Sequence, residues 1–364
     1  DCLLSRGLGD VYKRQGEDST MSTDEPNASQ DAAAIDGRIG RRPTIYNIAQ
    51  RVGLNPSTVS RALNKPGRTN AATEEKIRAA AAELGYRVNP MARALPTGLS
   101  GTYAIVLPDI TNPVHFELIR GAEQVARRSG FTLIVSETEG AAEIELETIE
   151  TLQPSVDGLL VVASRLDDAS LAALAASKPI VGANHSTPSL PSVTPDLESG
   201  LTDALDHLRD LGHRSVAYLG LGGARINRAR WELTLDLAAA RGLGVVEITV
   251  DEPTVAGGAE SLRRVRASGV TAVLAYNDLV AHGLLRAARS GGLQLPEAFS
   301  VIGFDDIFSA ELAVPALTTL RSPLREIGTR AMETLIDPER SRTPTKVVLP
   351  LELVVRESTA APTR

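Results

Sequence analysis

The sequence is poor in cysteine and in long apolar runs, and each shortage excludes a class of protein or site. The one cysteine, Cys2, can form no internal disulfide and cannot build a thiolate metal site. The five histidines lack the close spacing typical of metal ligands. No window approaches roughly 18 consecutive apolar residues, so we expect no membrane-spanning helix. No basic segment followed by an apolar one opens the chain, which argues against secretion and predicts a cytoplasmic protein.

The remaining composition is that of an ordinary globular protein. Apolar residues make up 43% of the chain and charged residues 23%. A domain typically holds about 100–200 residues, so 364 residues predict two or three domains.

Charge is distributed unevenly along the chain. Residues 38–100 carry 11 Lys and Arg against 3 Asp and Glu, whereas residues 101–364 carry 24 basic and 34 acidic residues. A cationic module tied to an anionic body suggests a head that binds a polyanion, with a solvated basic face as the alternative. Residues 1–40 have no apolar periodicity and are predicted to be a disordered tail. We interpret residues 1–20, which precede Met21, as read-through or a sequence artefact.

Residues 41–87 predict a compact module of three short helices. Thr44, Asn55 and Asn70 are good N-cap residues, Pro56 suits a first helical turn, and Gly53 suits a helix end. Two helices joined by a tight turn and followed by a third make the helix-turn-helix plan, whose second helix enters the major groove of DNA. Residues 88–100 read as a linker around one helical turn, which is marginal alone in water.

Residues 101–356 alternate apolar strand candidates with amphipathic helices and predict a two-lobed α/β domain with parallel sheets. Strand candidates are 103–107, 132–135, 158–162, 180–183, 216–219, 245–250, 272–275 and 300–303. Ligands of such sheets bind at the carboxyl ends of strands, so the loops after Leu107, Ala183, Leu219, Tyr276 and Phe304 should face one cleft. Residues 357–364 are predicted to be a flexible tail without leucine heptads.

An ordered series of motifs runs through both predicted modules. The series includes Pro43-Thr-Ile-Tyr-Asn-Ile-Ala-Gln-Arg-Val-Gly53, Pro56-Ser-Thr-Val-Ser-Arg-Ala-Leu-Asn64, Asn89-Pro-Met-Ala-Arg-Ala-Leu95, Leu107-Pro-Asp-Ile-Thr-Asn-Pro113, Tyr276-Asn-Asp278 and Val301-Ile-Gly-Phe-Asp-Asp306. This series resembles the lactose-repressor (LacI/GalR) family of bacterial transcription regulators. The resemblance implies a helix-turn-helix headpiece, a hinge helix and a body like periplasmic sugar-binding proteins, whose chain crosses between lobes three times. It also implies a homodimer, or a tetramer, on a pseudo-palindromic operator.

The resemblance places several side chains on DNA: Thr44, Tyr46, Pro56, Ser57, Thr58, Arg61, Asn64, Arg93 and Leu95. Ser57 and Arg61 would read base edges, since arginine pairs bidentately with guanine, and a phosphate clamp is the alternative for Arg61. Pro56 can offer only an apolar contact. Leu95 would insert between central base steps through the minor groove, with an ordinary linker leucine as the alternative.

The resemblance also places an effector between the lobes, in contact with Asp109, His115, Asn184, Arg230, Asn277 and Asp305. Carboxylates and amides accept from hydroxyls, and arginine donates in a fork, so the set suits a sugar or another polyhydroxylated molecule. The alternative for the Asp and Asn residues is that they only cap the next helix. Where the family often has aromatics after Pro113 this chain has Val114 and His115, and His185 stands where an arginine is common.

Together these features predict a repressor whose operator affinity is set allosterically by a bound small molecule. A change of 10–100-fold in affinity needs only about 1.4–2.8 kcal/mol of coupling between the sites. An activator, a response to a non-sugar metabolite and a solute-binding protein remain the alternatives. Gly220-Leu-Gly-Gly223 lacks the full dinucleotide-binding spacing, and we expect no enzyme, no cofactor, no metal and no membrane partner.

Overall fold

The computed structural model describes residues 43–64, 67–86, 99–223 and 225–363, and the chain divides into two units after Val88. The smaller unit contains α1 (Ile45–Val52), α2 (Pro56–Asn64) and α3 (Ala71–Glu83). Its three helices begin as the sequence predicts. The Asn55 side chain accepts from Ser57 N at 3.0 Å, and the Asn70 side chain accepts from Ala72 N at 2.9 Å.

A small apolar core holds α1, α2 and α3 together. Ile48, Val59 and Ile77 contribute one fully buried side chain from each helix. Gly53 ends α1 with a φ of 71°, a left-handed conformation that suits glycine, and Lys76 Nζ donates to the free carbonyl of Val52 at 3.2 Å. The helix-turn-helix prediction is confirmed. Arg93 and Leu95 of the expected hinge lie outside the described residues.

The first sheet of the larger unit is parallel throughout and forms one lobe. Its strands and helices are β1 (Thr102–Leu107), α4 (Val114–Arg128), β2 (Thr132–Glu137), α5 (Ala142–Leu152), β3 (Gly158–Val162), α6 (Asp168–Ala175), β4 (Ile180–Ala183) and β5 (Ser192–Pro195). The strand order is β11-β5-β4-β3-β1-β2, so its far edge comes from a late part of the chain.

The second sheet forms the other lobe. Its first elements are α7 (Leu197–Asp210), β6 (Ser215–Leu221), α8 (Arg225–Ala240), β7 (Gly244–Val250), α9 (Val255–Ser268), β8 (Ala272–Ala275), α10 (Asp278–Ser290), β9 (Ser300–Asp305) and β10 (Thr318–Arg321). The chain continues through α11 (Leu324–Ile336), β11 (Lys346–Leu349) and β12 (Glu352–Val354). The strand order is β12-β10-β9-β8-β6-β7, and among the described strands of this sheet only β10 and β12 pair antiparallel.

The chain crosses between the lobes after β5, after β10 and after β11, which confirms the two-lobed expectation. Each sheet is covered by helices on both faces. In the first lobe, α4 and α11 cover one face and α5 and α6 the other. Gly121 and Gly328 allow α4 and α11 to approach closely, because a Cβ on either would overlap a backbone carbonyl of the other helix.

Two features of the fold differ from what the sequence predicts. The short strands β5, β10, β11 and β12 were not predicted. Each has three or four residues, too few to show a periodic pattern. The expectation of a flexible tail was also wrong for residues 357–363, because Ser358 is buried and its hydroxyl donates to Val301 O at 2.6 Å.

Trp231 stacks on Tyr218 in the core of the second lobe. Across the described ranges every helix is too short or too polar to span a bilayer.

Candidate functional site

A cavity of about 360 Å³ lies between the carboxyl edges of the two sheets. The structure brings all the predicted effector residues together around it, namely Asp109, His115, Asn184, Arg230, Asn277 and Asp305. Both lobes contribute loops that directly follow strands, because parallel strands end at the same edge of a sheet.

Arg230 and Asp305 form the floor of the cavity on the second lobe. The Arg230 side chain is 3% exposed, its Nη1 donates to Tyr276 O at 2.9 Å, and its Nε has no partner among the described residues. Burial raises the pKa of Asp305 to about 7, and the positive charge of Arg230 opposes that rise. The Arg230 guanidinium and the Asp305 carboxyl, which both line the cavity, give it a hydrogen-bond donor and an acceptor group.

Asp109 and His115 lie on the opposite lobe. Asp109 follows β1, and its Oδ1 accepts from both the backbone N and the hydroxyl of Thr111, at 2.7 and 2.6 Å. Burial lowers the pKa of His115 to about 4, and the charge of Asp109 opposes that shift. His115 is therefore a neutral imidazole near pH 7, with the capacity to donate one hydrogen bond and accept another.

Asn184 and Asn277 both line the cavity, but their local structures differ. Asn277 caps α10, since its Oδ1 accepts from Val280 N at 2.8 Å, and its amide donates to Pro253 O at 3.0 Å. Asn277 therefore does cap the helix that follows it, which was the alternative to a role in ligand binding. Asn184 is half-buried after β4 and holds a φ of 53°, a left-handed conformation that asparagine tolerates. His185, one residue on, is buried but does not line the cavity.

Several lining residues were missed by the sequence analysis: Glu137, Glu139, Ser164, Arg165, Glu252, Thr254 and Tyr276. Most of them lie at or just after the ends of β2, β3 and β7. These strands were predicted, but the loops after them were not assigned to the cleft. The same carboxyl-end rule would have found them. With these residues, five carboxylates line the cavity against two guanidiniums, so the charge around a bound molecule is predominantly negative.

The floor of the cavity connects to an exposed apolar patch on the second lobe. Asp278 is fully buried, its Oδ1 accepts from Thr319 Oγ1 at 2.6 Å, and its Oδ2 accepts from Ile307 N at 2.8 Å. Ile307 opens the loop 306–317, which carries Phe308 and Leu312, whose side chains are 68% and 72% exposed. Asp278 therefore holds the backbone at Ile307, which lies between Asp305 at the end of β9 and the exposed Phe308.

The smaller unit presents most of its predicted DNA-binding residues to the surface. Tyr46 is 74% exposed, Ser57 and Arg61 are exposed, and Pro56 and Thr58 are half-buried. Thr44 is exposed as well, at the start of α1, whereas Asn64 ends α2 and its side chain is not among those described. The Ser57 hydroxyl donates to the Asn55 side chain at 2.8 Å, which leaves its oxygen as an acceptor. Within the described ranges no group of three or more His, Cys, Asp or Glu could hold a metal ion.

Each of the two units matches a family of known proteins. Residues 44–89 match bacterial regulatory proteins of the lacI family, and residues 205–359 match a periplasmic binding protein-like domain. The HTH-type transcriptional regulator DegA of Bacillus subtilis (strain 168) is 32% identical over 333 residues, which cover 88% of this chain and 98% of DegA.

Solved structures agree with this placement. The lac repressor dimer bound to operator and the anti-inducer ONPF superposes with a TM-score of 0.80 at 25% identity, covering 88% of this chain and 100% of that one. The transcriptional regulator CelR in complex with cellobiose gives a TM-score of 0.64 at 27% identity, covering 87% and 100%. From its helix-turn-helix unit, its two-lobed body and these relatives, the chain belongs to the lacI family of bacterial regulatory proteins.

Proposed function

We propose that this chain is a homodimeric transcriptional repressor whose affinity for a pseudo-palindromic operator is set by a polyhydroxylated molecule, most simply a sugar, bound between its lobes. The observation that carries the proposal is the cavity itself, which is lined from both lobes and includes the buried Arg230 and the buried carboxyl of Asp305. The function involves binding and no chemical step, and it is exercised in the cytoplasm, where the operator DNA lies.

The cavity favours a neutral polyol over other small molecules. Its polar groups include carboxylates that accept from hydroxyls and the Arg230 guanidinium, which donates to them. The relative CelR is complexed with cellobiose, which supports a carbohydrate for this chain as well. A cavity of about 360 Å³ lies within the range of small-molecule sites.

The operator role is supported by the exposed side chains of α2 and by the basic charge of residues 38–100. Ser57 and Arg61 project from α2 opposite the buried Val59, in position to meet base edges if α2 enters the major groove. For Leu95 the proposal rests on the resemblance alone. Leu95→Ala should weaken operator binding and leave effector binding unchanged, and unchanged operator affinity would refute the wedge.

The homodimer is supported by the apolar patch of the loop 306–317. Phe308, Leu312 and Val314 all belong to this loop and are all more than half exposed, and large exposed apolar side chains grouped in one segment favour an interface. The lac repressor is a dimer on its operator, which favours the same arrangement here. Because Asp278 joins this loop to the cavity floor, a ligand on Asp305 can bias the geometry of the patch.

The test is a selection of random duplex DNA by the purified full chain, followed by sequencing, with and without a panel of sugars. Enrichment of a palindrome that a sugar abolishes supports the ligand-controlled repressor. Enrichment that occurs only with a sugar present would replace induction by corepression. No enrichment under either condition would reject the operator role.

A further inference from the structure

A second guanidinium faces the cavity from the lobe opposite Arg230. Arg165 follows β3 and is one of the residues that line the cavity, with its side chain half-buried. Arg230 belongs to α8 in the other lobe. The two arginines therefore approach the same space from the two bodies between which a ligand would lie.

A buried carboxylate fixes the turn that carries Arg165. Glu145 on α5 is 3% exposed, and its Oε2 accepts from the backbone N of Arg165 at 2.8 Å. Its other oxygen accepts from the Ser164 hydroxyl, whose oxygen in turn accepts from Leu166 N at 3.1 Å. Burial raises the pKa of Glu145, and the bonds from Ser164 and Arg165 oppose that rise. Burying a carboxylate is costly without such partners, so its presence indicates a turn that must be held in place.

The Arg165 side chain lies against the loop after β2. Gly140 has a φ of 65°, and a Cβ built on it would lie 3.7 Å from Nη2 and 4.0 Å from Nε of Arg165. The guanidinium thus rests over the backbone at Gly140. Its charge reaches the opposite lobe, where burial raises the pKa of Tyr276 and Arg165 is among the groups that oppose the rise.

We propose that Arg165 is a specificity-determining contact for the effector and that it binds the same molecule as Arg230, from the opposite lobe. The inference rests on the proposed function, in which the cavity holds a polyhydroxylated effector. Such a ligand must present hydrogen-bond acceptors to both lobes. Because both arginines reach it only when the lobes are together, Arg165 adds affinity for the closed arrangement.

The experiment is isothermal titration of the full chain with D-ribose, D-glucose, D-galactose and cellobiose, each tested singly. The sugar with the lowest Kd becomes the probe for Arg165→Met, Arg165→Lys, Glu145→Gln and Arg230→Met. Arg263→Met is the matched control, because Arg263 is exposed on α9 and does not line the cavity. Thermal unfolding of each variant reports whether the fold is retained.

Arg165→Met should raise the Kd at least tenfold, since charge-assisted bonds to a neutral partner are among the stronger ones in proteins. Arg165→Lys should give a smaller increase, because lysine keeps the charge without the planar fork. Glu145→Gln should also give a smaller increase, because an amide can replace only one of the two accepting oxygens. Arg263→Met should leave the Kd unchanged.

Two other results separate the inference from the proposed function. If Arg230→Met abolishes binding while Arg165→Met binds as the unaltered chain does, Arg165 is not a contact and the inference is overturned alone. If no sugar binds the unaltered chain, the polyhydroxylated effector is rejected and the inference falls with it.

Discussion

The guanidinium carbon of Arg230 lies 3.5 Å from the centre of the Phe304 ring, so this buried cation is stacked on an aromatic face. The contact orients the planar group, and its bond to Tyr276 O at 2.9 Å fixes it further. The guanidinium is therefore held in one orientation before any ligand arrives. Preorganisation of this kind reduces the entropy that binding must overcome.

Arg230→Lys should therefore raise the Kd for the bound sugar by about tenfold or more, because an ammonium cannot stack and fork in the same way. Isothermal titration measures the change, with Arg263→Lys as the exposed control. Operator binding without ligand should stay within a factor of two or so, since the site is remote from α2 in sequence and belongs to the other unit. An unaltered Kd would contradict the assigned role.

Asp305→Asn should stabilise the protein above neutral pH while weakening ligand binding. The folded-state pKa of Asp305 is raised to about 7, so the folded form holds a proton that the unfolded form has released. The carboxyl's contribution to stability is thus fully present below about pH 4 and is lost as pH rises towards 7. Asparagine does not titrate and avoids that loss.

Thermal unfolding at pH 5 and pH 8 tests this sign. We expect the variant to gain on the order of 1 kcal/mol or more over the unaltered chain at pH 8, with a smaller gain at pH 5. A variant that is less stable than the unaltered chain at pH 8 would show that burial does not destabilise the ionised Asp305 carboxylate.

The charge of the cavity leads to a prediction about its ligands. Five carboxylates and two guanidiniums line it, so a phosphorylated sugar should bind at least about tenfold more weakly than the neutral parent sugar. The three glutamates are exposed, and salt screens exposed charges, so the discrimination should shrink between 50 mM and 500 mM NaCl. Paired titrations of a sugar and its phosphate measure it, and tighter binding of the phosphate would contradict the prediction.

The sequence predicted the cavity well where a chemical group directly follows an apolar strand. The strand ends placed the loops after β1 and β9 at the cleft, because parallel strands share an edge, and the resemblance then named Asp109 and Asp305 there. Arg230 was identified by the resemblance alone, since it lies within a helix. Glu145 could not be found, because only tertiary packing shows that a glutamate on an ordinary acidic helix is buried beneath Ser164.

The sequence could not predict the parts of the fold that depend on residues far away along the chain. β12 has three residues and exists because it pairs with β10, some thirty residues earlier. Residues 357–363 look like a polar tail, but Ser358 and its neighbours find partners on β9 and β10. A local pattern has no access to such pairings.

Arg61→Ala should relax operator specificity at one base pair in each half-site, at a cost of about 1–3 kcal/mol for the preferred base. Arg61 is exposed on α2, opposite the buried Val59. Selection of random duplexes by the variant measures the effect, with Arg78→Ala on α3 as control. A uniform loss of affinity with unchanged base preference would assign Arg61 to a phosphate instead.

Leu312→Glu should convert the proposed dimer into a monomer. Leu312 is 72% exposed on the same loop as Phe308, and a charge buried in an apolar interface has no partner to offset its desolvation. Analytical ultracentrifugation of the full chain gives the mass directly. Val246→Glu on the edge strand β7 is the matched control, since Val246 is also exposed but lies away from the loop 306–317.

The same variant should lose operator affinity by a larger factor than any single base contact supplies. Two headpieces in one dimer bind adjacent half-sites as a single event, and that advantage in effective concentration is lost when the subunits separate. Sugar binding should persist, because the cavity is built within one chain. A variant that remains dimeric and binds operator normally would show that the subunits meet through another surface.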